Sequence, residues 1–364
     1  MPQLAEVIAA VEEWFDPSWA ESWDSVGLTC GDPAVDVTRV VLAVDAVPQT
    51  VAEAEGAGAE LLLTHHPLLL SPVHGVPVTD PKGALVHRMI RSGIAHYVAH
   101  TNADVADPGV SDALAARLGL ADLRPLDATP EEVRDTLVVF VATDDAAGVT
   151  DSLIAAGQTT HAWSTIGVAT RPEPSGRPTQ PTAETRIELT VPRHVLSDVV
   201  RALRPERFDV YPHIALGGTR GTGRVGELVA PMNLREFLSR AVQILPHTAW
   251  GIRAAGNPDR NVRTVAVCGG SGAPFIEAAR RAGADAYVTA DLKHHATLEA
   301  VTERGPDAMA LVDAAHWATE APWLDAVADR LRERFGTTVN VSVSPTVTDP
   351  WTLHVPSPET SPPP

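Results

Sequence analysis

The apolar positions fall into short blocks whose spacing alternates between helix and strand periods. Leu4, Val7, Ile8 and Val11 share one stripe, which predicts a helix over 3–15. Apolar runs at 37–44, 60–64 and 95–100 read as buried strands, and 50–57, 82–92 and 111–118 as helices. The segment 17–31 reads as a loop. This alternation predicts an α/β fold, a mostly parallel sheet with helices on its faces.

The texture changes at DLRPLDATPEE (122–132), which reads as a connector. Beyond it, 136–142 predicts a strand, 148–157 a helix, 186–191 a half-buried strand and 194–203 a helix, and FDVYPHIAL follows. That order predicts a β-α-β-β-α-β, ferredoxin-like α+β domain inserted into the larger one. Its proline-rich stretch 170–181 reads as an exposed loop. After GTRGTGRVGEL (218–228) the first texture returns. Strands are predicted at 264–268, 286–289, 308–312 and 338–343, with helices at 233–245, capped by Asn233, and at 274–282 and 315–334. The expected division is a core of two related lobes, 1–132 and 221–355, an insert at 133–220, and a disordered proline-rich tail at 356–364.

A net charge of −18 argues against sequence-independent nucleic-acid binding and against docking on an anionic membrane. No apolar run approaches the ~20 residues that cross a bilayer. The acidic N-terminus lacks the basic start of a secretory signal. Two cysteines make no disulfide framework and suit a reducing compartment. A cytoplasmic location is the expectation.

Three short segments carry candidate chemistry. His65 and His66 directly follow a predicted buried strand, where ligands gather in open α/β sheets. Asp104 follows another strand end, in His100-Thr101-Asn102-Ala103-Asp104. His316 and Glu320 stand four apart at a helix start and share a face. Each is weak alone: adjacent histidines arise by chance, an aspartate past a strand is often a turn residue, and about one His-xxx-Glu pair is expected in such a chain. Together, three imidazoles and two carboxylates suit two divalent cations among Zn, Fe, Mn, Co and Ni better than Ca or Mg. The glycine-rich turn 268–274 could hold an anion at a helix start, and Asp291 to His295 could touch ligands or substrate.

THHPLLL, AHTNADVADPGVSDALAARLGL, GTGRVGEL, VAVCGGSG, LVDAAHWATE and ESWDSVGL together resemble the motifs of the Nif-three-like dinuclear metal-centre family, the GTP cyclohydrolase 1 type 2 homologues. The resemblance covers about the first 120 residues and about 221–355. It implies metal ligation by His65, His66, Asp104, His316 and Glu320, with Glu320 bridging, and a toroidal homohexamer around an internal cavity. It also implies that the insert is PII- or CutA-like. Where the family commonly reads Lys-Tyr-His-Asp, this chain has Lys293-His294-His295-Ala296, and His295 aligns with the histidine. The function so implied is hydrolysis of a small-molecule substrate, a nucleotide opened in the GTP cyclohydrolase manner, with His295 as proton carrier. A phosphoester hydrolase would use the same metals. A non-catalytic, metal-binding or regulatory hexamer is the contrasting class.

Overall fold

The computed structural model describes all residues except 131–133, 158–161, 170–181, 204–206, 213–216, 303–304, 306–307 and 357–364. The expected loop at 170–181 and nearly all of the expected tail lie outside the described residues. The chain forms two compact units, Met1–Thr129 with Thr219–Pro364, and Pro130–Gly218.

The larger unit begins α1 (Leu4–Trp14), β1 (Gly27–Cys30), β2 (Arg39–Ala43), α2 (Pro48–Ala57), β3 (Leu61–Thr64), α3 (Pro81–Arg91) and β4 (Ala95–Val98). It continues with α4 (Thr101–Asp104), α5 (Val110–Leu118) and β5 (Leu120–Pro130). The smaller unit supplies β6 (Arg134–Ala142), α6 (Ala146–Gly157), β7 (Ala162–Ala169), β8 (Thr182–Pro192), α7 (Arg193–Leu203) and β9 (Arg207–Pro212). The larger unit resumes with β10 (Gly217–Asn233), α8 (Leu234–Ile244), β11 (Ile252–Ala255), β12 (Asn261–Ser271) and α9 (Ile276–Arg281). It ends with β13 (Ala286–Ala290), α10 (His294–Thr302), β14 (Ala310–Ala314), α11 (His316–Phe335) and β15 (Asn340–Val343).

The larger unit holds two sheets of related plan. The first has the order β1-β4-β3-β2-β15, parallel from β15 through β4 and antiparallel only at the β1 edge. The second, β11-β14-β13-β12-β10-β5, is parallel through β12, β13 and β14 and antiparallel outside them. Both faces of the parallel strands are covered, which explains their unbroken apolar runs. Val40, Leu42, Leu61 and Leu63 pack with residues of α1 and α11, whereas Val41 and Leu62 pack with Val51, Val86 and Met89 of α2 and α3. In the second sheet, Val265, Val267, Val288 and Val312 meet Phe237 and Leu114, while Ala266, Tyr287 and Leu311 meet Ala279.

The sequence did not announce α4, β10 or α10, and three further strands depart from its expectation. The expected loop 17–31 contains β1, whose burial is only partial. The expected connector 122–132 overlaps β5, which lies at the edge of its sheet. Its Pro125 and Pro130 hid it, yet an edge strand tolerates residues without an N–H. The third, β11, is short and half-exposed, so its pattern carries little signal.

In the smaller unit the strand order is β7-β8-β6-β9, antiparallel throughout. With α6 and α7 this is the β-α-β-β-α-β order, consistent with a ferredoxin-like domain. Its core is Leu137, Val139, Leu153, Ile187, Leu189, Val191 and Val199.

Candidate metal centre

The carboxyl ends of the parallel strands in the two sheets deliver the candidate residues to one place. His65 and His66 follow β3, His100 to Asp104 follow β4, and Asp45 follows β2. From the second sheet, Gly269 and Gly270 end β12, Asp291 follows β13, and His316 opens α11 directly after β14. This is where open α/β sheets place their ligands.

Glu320 is the hub. It sits one turn into α11, 3% exposed. His316 Nε2 lies 3.0 Å from its Oε1, His66 Nε2 3.1 Å from its Oε2, and His65 Nε2 3.5 Å from its Oε1. Asp104 Oδ1 stands 3.7 Å from His65 Nε2. The ligand atoms of His66, His316 and Glu320 lie within 4.8 Å of one another, as do those of His65, His66 and His100. All five residues named from the sequence therefore meet. His100 joins them, and sequence reasoning passed over it although it too follows a strand end.

Each imidazole is anchored through its other nitrogen. Nδ1 of His65 faces the Ala99 carbonyl at 2.9 Å, Nδ1 of His66 faces Asp45 at 2.7 Å, Nδ1 of His100 faces Asp24 at 2.8 Å and Nδ1 of His316 faces Asp291 at 2.7 Å. A donor held this way turns Nε2 inward, as metal-ligating histidines characteristically do. Asp24 lies in the tryptophan-aspartate pair of ESWDSVGL, and Asp291 adopts a positive φ of 57° at the end of β13. The chain thus turns Asp291, rather than the following helix, toward His316. His295 is exposed on α10 with its ring against His294, and the structure does not bring it to the cluster.

The electrostatics suit a cation. Burial pushes the Glu320 carboxyl up, but His66, His316 and His65 pull it well below the usual carboxylate range. Burial disfavours the charged imidazoles, yet Glu320 with Asp45 holds His66 well above its ordinary value, and Glu320 with Asp291 raises His316 to about 10. Burial raises Asp104. Protons on these imidazoles occupy positions a cation would take. His65 Nε2 is buried with no hydrogen-bond partner among the described residues, which is the vacancy a metal would satisfy. A Cβ on Gly270, whose φ is +65°, would stand 2.4 Å from Glu320 Oε1 and 3.1 Å from His316 Nε2. The glycine is what lets backbone pass so close to the cluster. The residues present therefore fit divalent metal.

The glycine-rich turn does not offer its first two N–H groups to an anion. Gly269 N–H donates to Ser111 Oγ at 3.2 Å and Gly270 N–H to Thr319 Oγ1 at 2.9 Å. GTGRVGEL has a structural task. Arg224, 2% exposed, pairs with Asp112 at 2.7 Å and donates to the carbonyls of Gly221, Gly223 and Ala106. It ties β10 to the segment just past Asp104. Two cavities flank the cluster. One, of about 420 Å³, touches Trp23, Asp104, Gly270 and Glu320, and the other, of about 290 Å³, touches His66, His316, Trp250 and Asp349. Among the described residues, no helix is long and apolar enough to cross a membrane.

Residues 2–350 match the family model described as Duf34/NIF3, NGG1p interacting factor 3. A protein of Mycobacterium tuberculosis named GTP cyclohydrolase 1 type 2 homolog is 41% identical, over 96% of this chain and 97% of its own length. A Streptomyces coelicolor protein of the same name is also 41% identical, over 99% and 98%. Among solved structures, a Bacillus cereus protein related to NIF3 aligns with a TM-score of 0.72 and 32% identity, over 97% of this chain and 99% of its own.

Proposed function

The chain belongs to the DUF34/NIF3 family, and from that premise we propose that the cluster holds two divalent metal ions and that the protein is a metal-dependent hydrolase of nucleotides, of the GTP cyclohydrolase type named in its relatives. The observation that carries this reading is the convergence of three imidazole Nε2 atoms on Glu320, each ring anchored through Nδ1. His65, His66, Asp104, His316 and Glu320 would hold the ions, with Glu320 between them and His100 as a further donor. Such ions, when bound, polarise a substrate oxygen and make water nucleophilic near neutral pH.

The chain's own part is orientation. Asp45, Asp24, Asp291 and the Ala99 carbonyl fix the four rings, and Trp323, 5.3 Å from the His65 ring, packs the buried side of the site. The flanking cavities leave room for a substrate next to the cluster. In this reading the protein assembles as a homohexamer, which light scattering checks directly.

Protein loaded in parallel with Zn, Mn and Fe(II) is incubated with GTP and a nucleotide panel, following formate and phosphate together. Formate from GTP with wild type, and none with Glu320→Ala, supports the proposal. Phosphate without formate replaces it with phosphoester hydrolysis. Neither product, with metal bound, replaces it with a metal-binding or regulatory role. His295→Ala tests the remaining assignment: a lower kcat at unchanged metal content supports proton transfer by His295, and an unchanged kcat removes it.

A further inference from the structure

Two residues that line the cavity on the Trp250 side of the cluster each hold a polar atom that the fold leaves unsatisfied. Asp349 Oδ2 and Trp250 Nε1 are buried without a hydrogen-bond partner among the described residues, and both residues line that cavity of about 290 Å³. Asp349 is 9% exposed. Buried groups of this kind are rarely left unpaired, because their desolvation is then uncompensated. One of these atoms accepts and the other donates. His66 and His316 line the same cavity, so whatever fills it lies beside the cluster.

The surroundings are flat and fixed. The Trp351 ring stands 5.5 Å from that of Trp250, tilted by 40°, and is 59% exposed. Arg253 lies 4.6 Å over the Trp250 ring and pairs with Asp313 at 2.6 Å, which pins the indole. Indoles beside a buried acceptor and donor make a slot for a planar heterocycle with a polar edge.

We propose that this cavity is a nucleobase subsite for a guanine-type edge, an inference that rests on the nucleotide reading above. The Asp349 carboxylate accepts from the ring N–H and the exocyclic amino group, the Trp250 N–H donates to the neighbouring carbonyl, and Trp351 stacks on the ring. The chemistry selects the base. Guanine presents a carbonyl, an N–H and an amino group in a row, whereas adenine turns a ring-nitrogen lone pair toward the carboxylate.

The test uses full-length protein freed of metal by chelator, titrated with guanosine, inosine and adenosine by tryptophan fluorescence and calorimetry. These nucleosides carry no phosphate, so binding reports the base. The expected result is tightest binding of guanosine, with inosine, which lacks the amino group, at least about fivefold weaker, and adenosine weaker again. Asp349→Asn should erase the guanosine–inosine difference, and Trp351→Ala should weaken all three by about fivefold or more. Equal affinities, no binding to folded protein, or a preference that survives Asp349→Asn would overturn the proposal. If Asp349→Asn does not fold, the wild-type panel and Trp351→Ala, at an exposed position, decide. Guanosine preference without formate from GTP would sink the hydrolase reading and keep the subsite. Formate from GTP without that preference would do the reverse.

Discussion

Arg224→Met should be among the most damaging single changes outside the cluster. The guanidinium is buried, and its loss leaves the Asp112 carboxylate without its cation and removes the Arg224 donors from three carbonyls. Removing one partner of a buried pair costs about 3–5 kcal/mol, a large share of a domain's usual ~5–15 kcal/mol. For a unit of this size each kcal/mol lowers Tm by about 2–4 °C, so a fall of roughly 6–20 °C is expected. Asp112→Asn should cost less, because the amide oxygen can still take the Gly109 N–H that opens α5. The double variant should then be more stable than the sum of the singles by about 1 kcal/mol or more, since it carries no orphaned charge. Urea unfolding followed by tryptophan emission reads the larger unit, because Trp163 is the one tryptophan outside it. Strict additivity, or a loss under about 1 kcal/mol for Arg224→Met, would refute the reasoning. Since Arg224 also holds the Ala106 carbonyl, two residues past Asp104, metal uptake should weaken with it.

Metal binding should be pH-dependent with a defined sign. His316 is raised to about 10 in the metal-free protein, so a metal must displace its proton below that pH. Apparent affinity should climb about tenfold per pH unit per proton displaced between pH 6.5 and 8.5; a flat profile in chelator competition contradicts this. The metal-free protein should lose stability in the opposite sense. The contribution of His316 is complete below its unfolded pKa near 6.5 and disappears as pH rises through about 10, so Tm should fall across that window and His316→Gln should flatten it. Gly270→Ala should cost about 1–2 kcal/mol for the left-handed backbone and bind less metal, because the new methyl meets Glu320. A wild-type metal-to-protein ratio would count against this. Cys268, buried and pushed up to about 12, should resist a thiol reagent at pH 8 until the protein is unfolded; rapid native reaction of both cysteines would contradict this.

Much of the core was legible because it obeys local rules. The runs at β3 and β13 are apolar on both faces, and Asn233 both accepts from Glu236 N–H and caps α8 as expected. The five ligand candidates were legible because strand ends and a helix start put them on the same rim. Asp24 and Asp45 were harder to find than Asp291, which follows a strand end beside the ligands. All three are far in sequence from the histidines they hold, by 76, 21 and 25 positions, so no spacing links them. Asp291 was expected to touch the ligands and does so through His316, but its positive φ is a backbone property that composition does not announce. Trp250 and Asp349 showed no motif at all, since a cavity assembled from distant loops leaves no periodic trace.

β5 and β10 are hydrogen-bonded neighbours. Gly221 packs against Asp127 and Ala128, and Gly226 against Ala121, so the two strands run in opposite directions. The chain therefore leaves the larger unit and re-enters it at adjacent points. In topological terms the whole smaller unit is the tip of a hairpin. Closing a loop costs only logarithmically more as it lengthens, so a domain can be spliced in or cut out here while strand pairing and the metal-binding rim are preserved. The packing demands on the smaller unit's own core are thus separate from those on the residues that form the metal-binding rim.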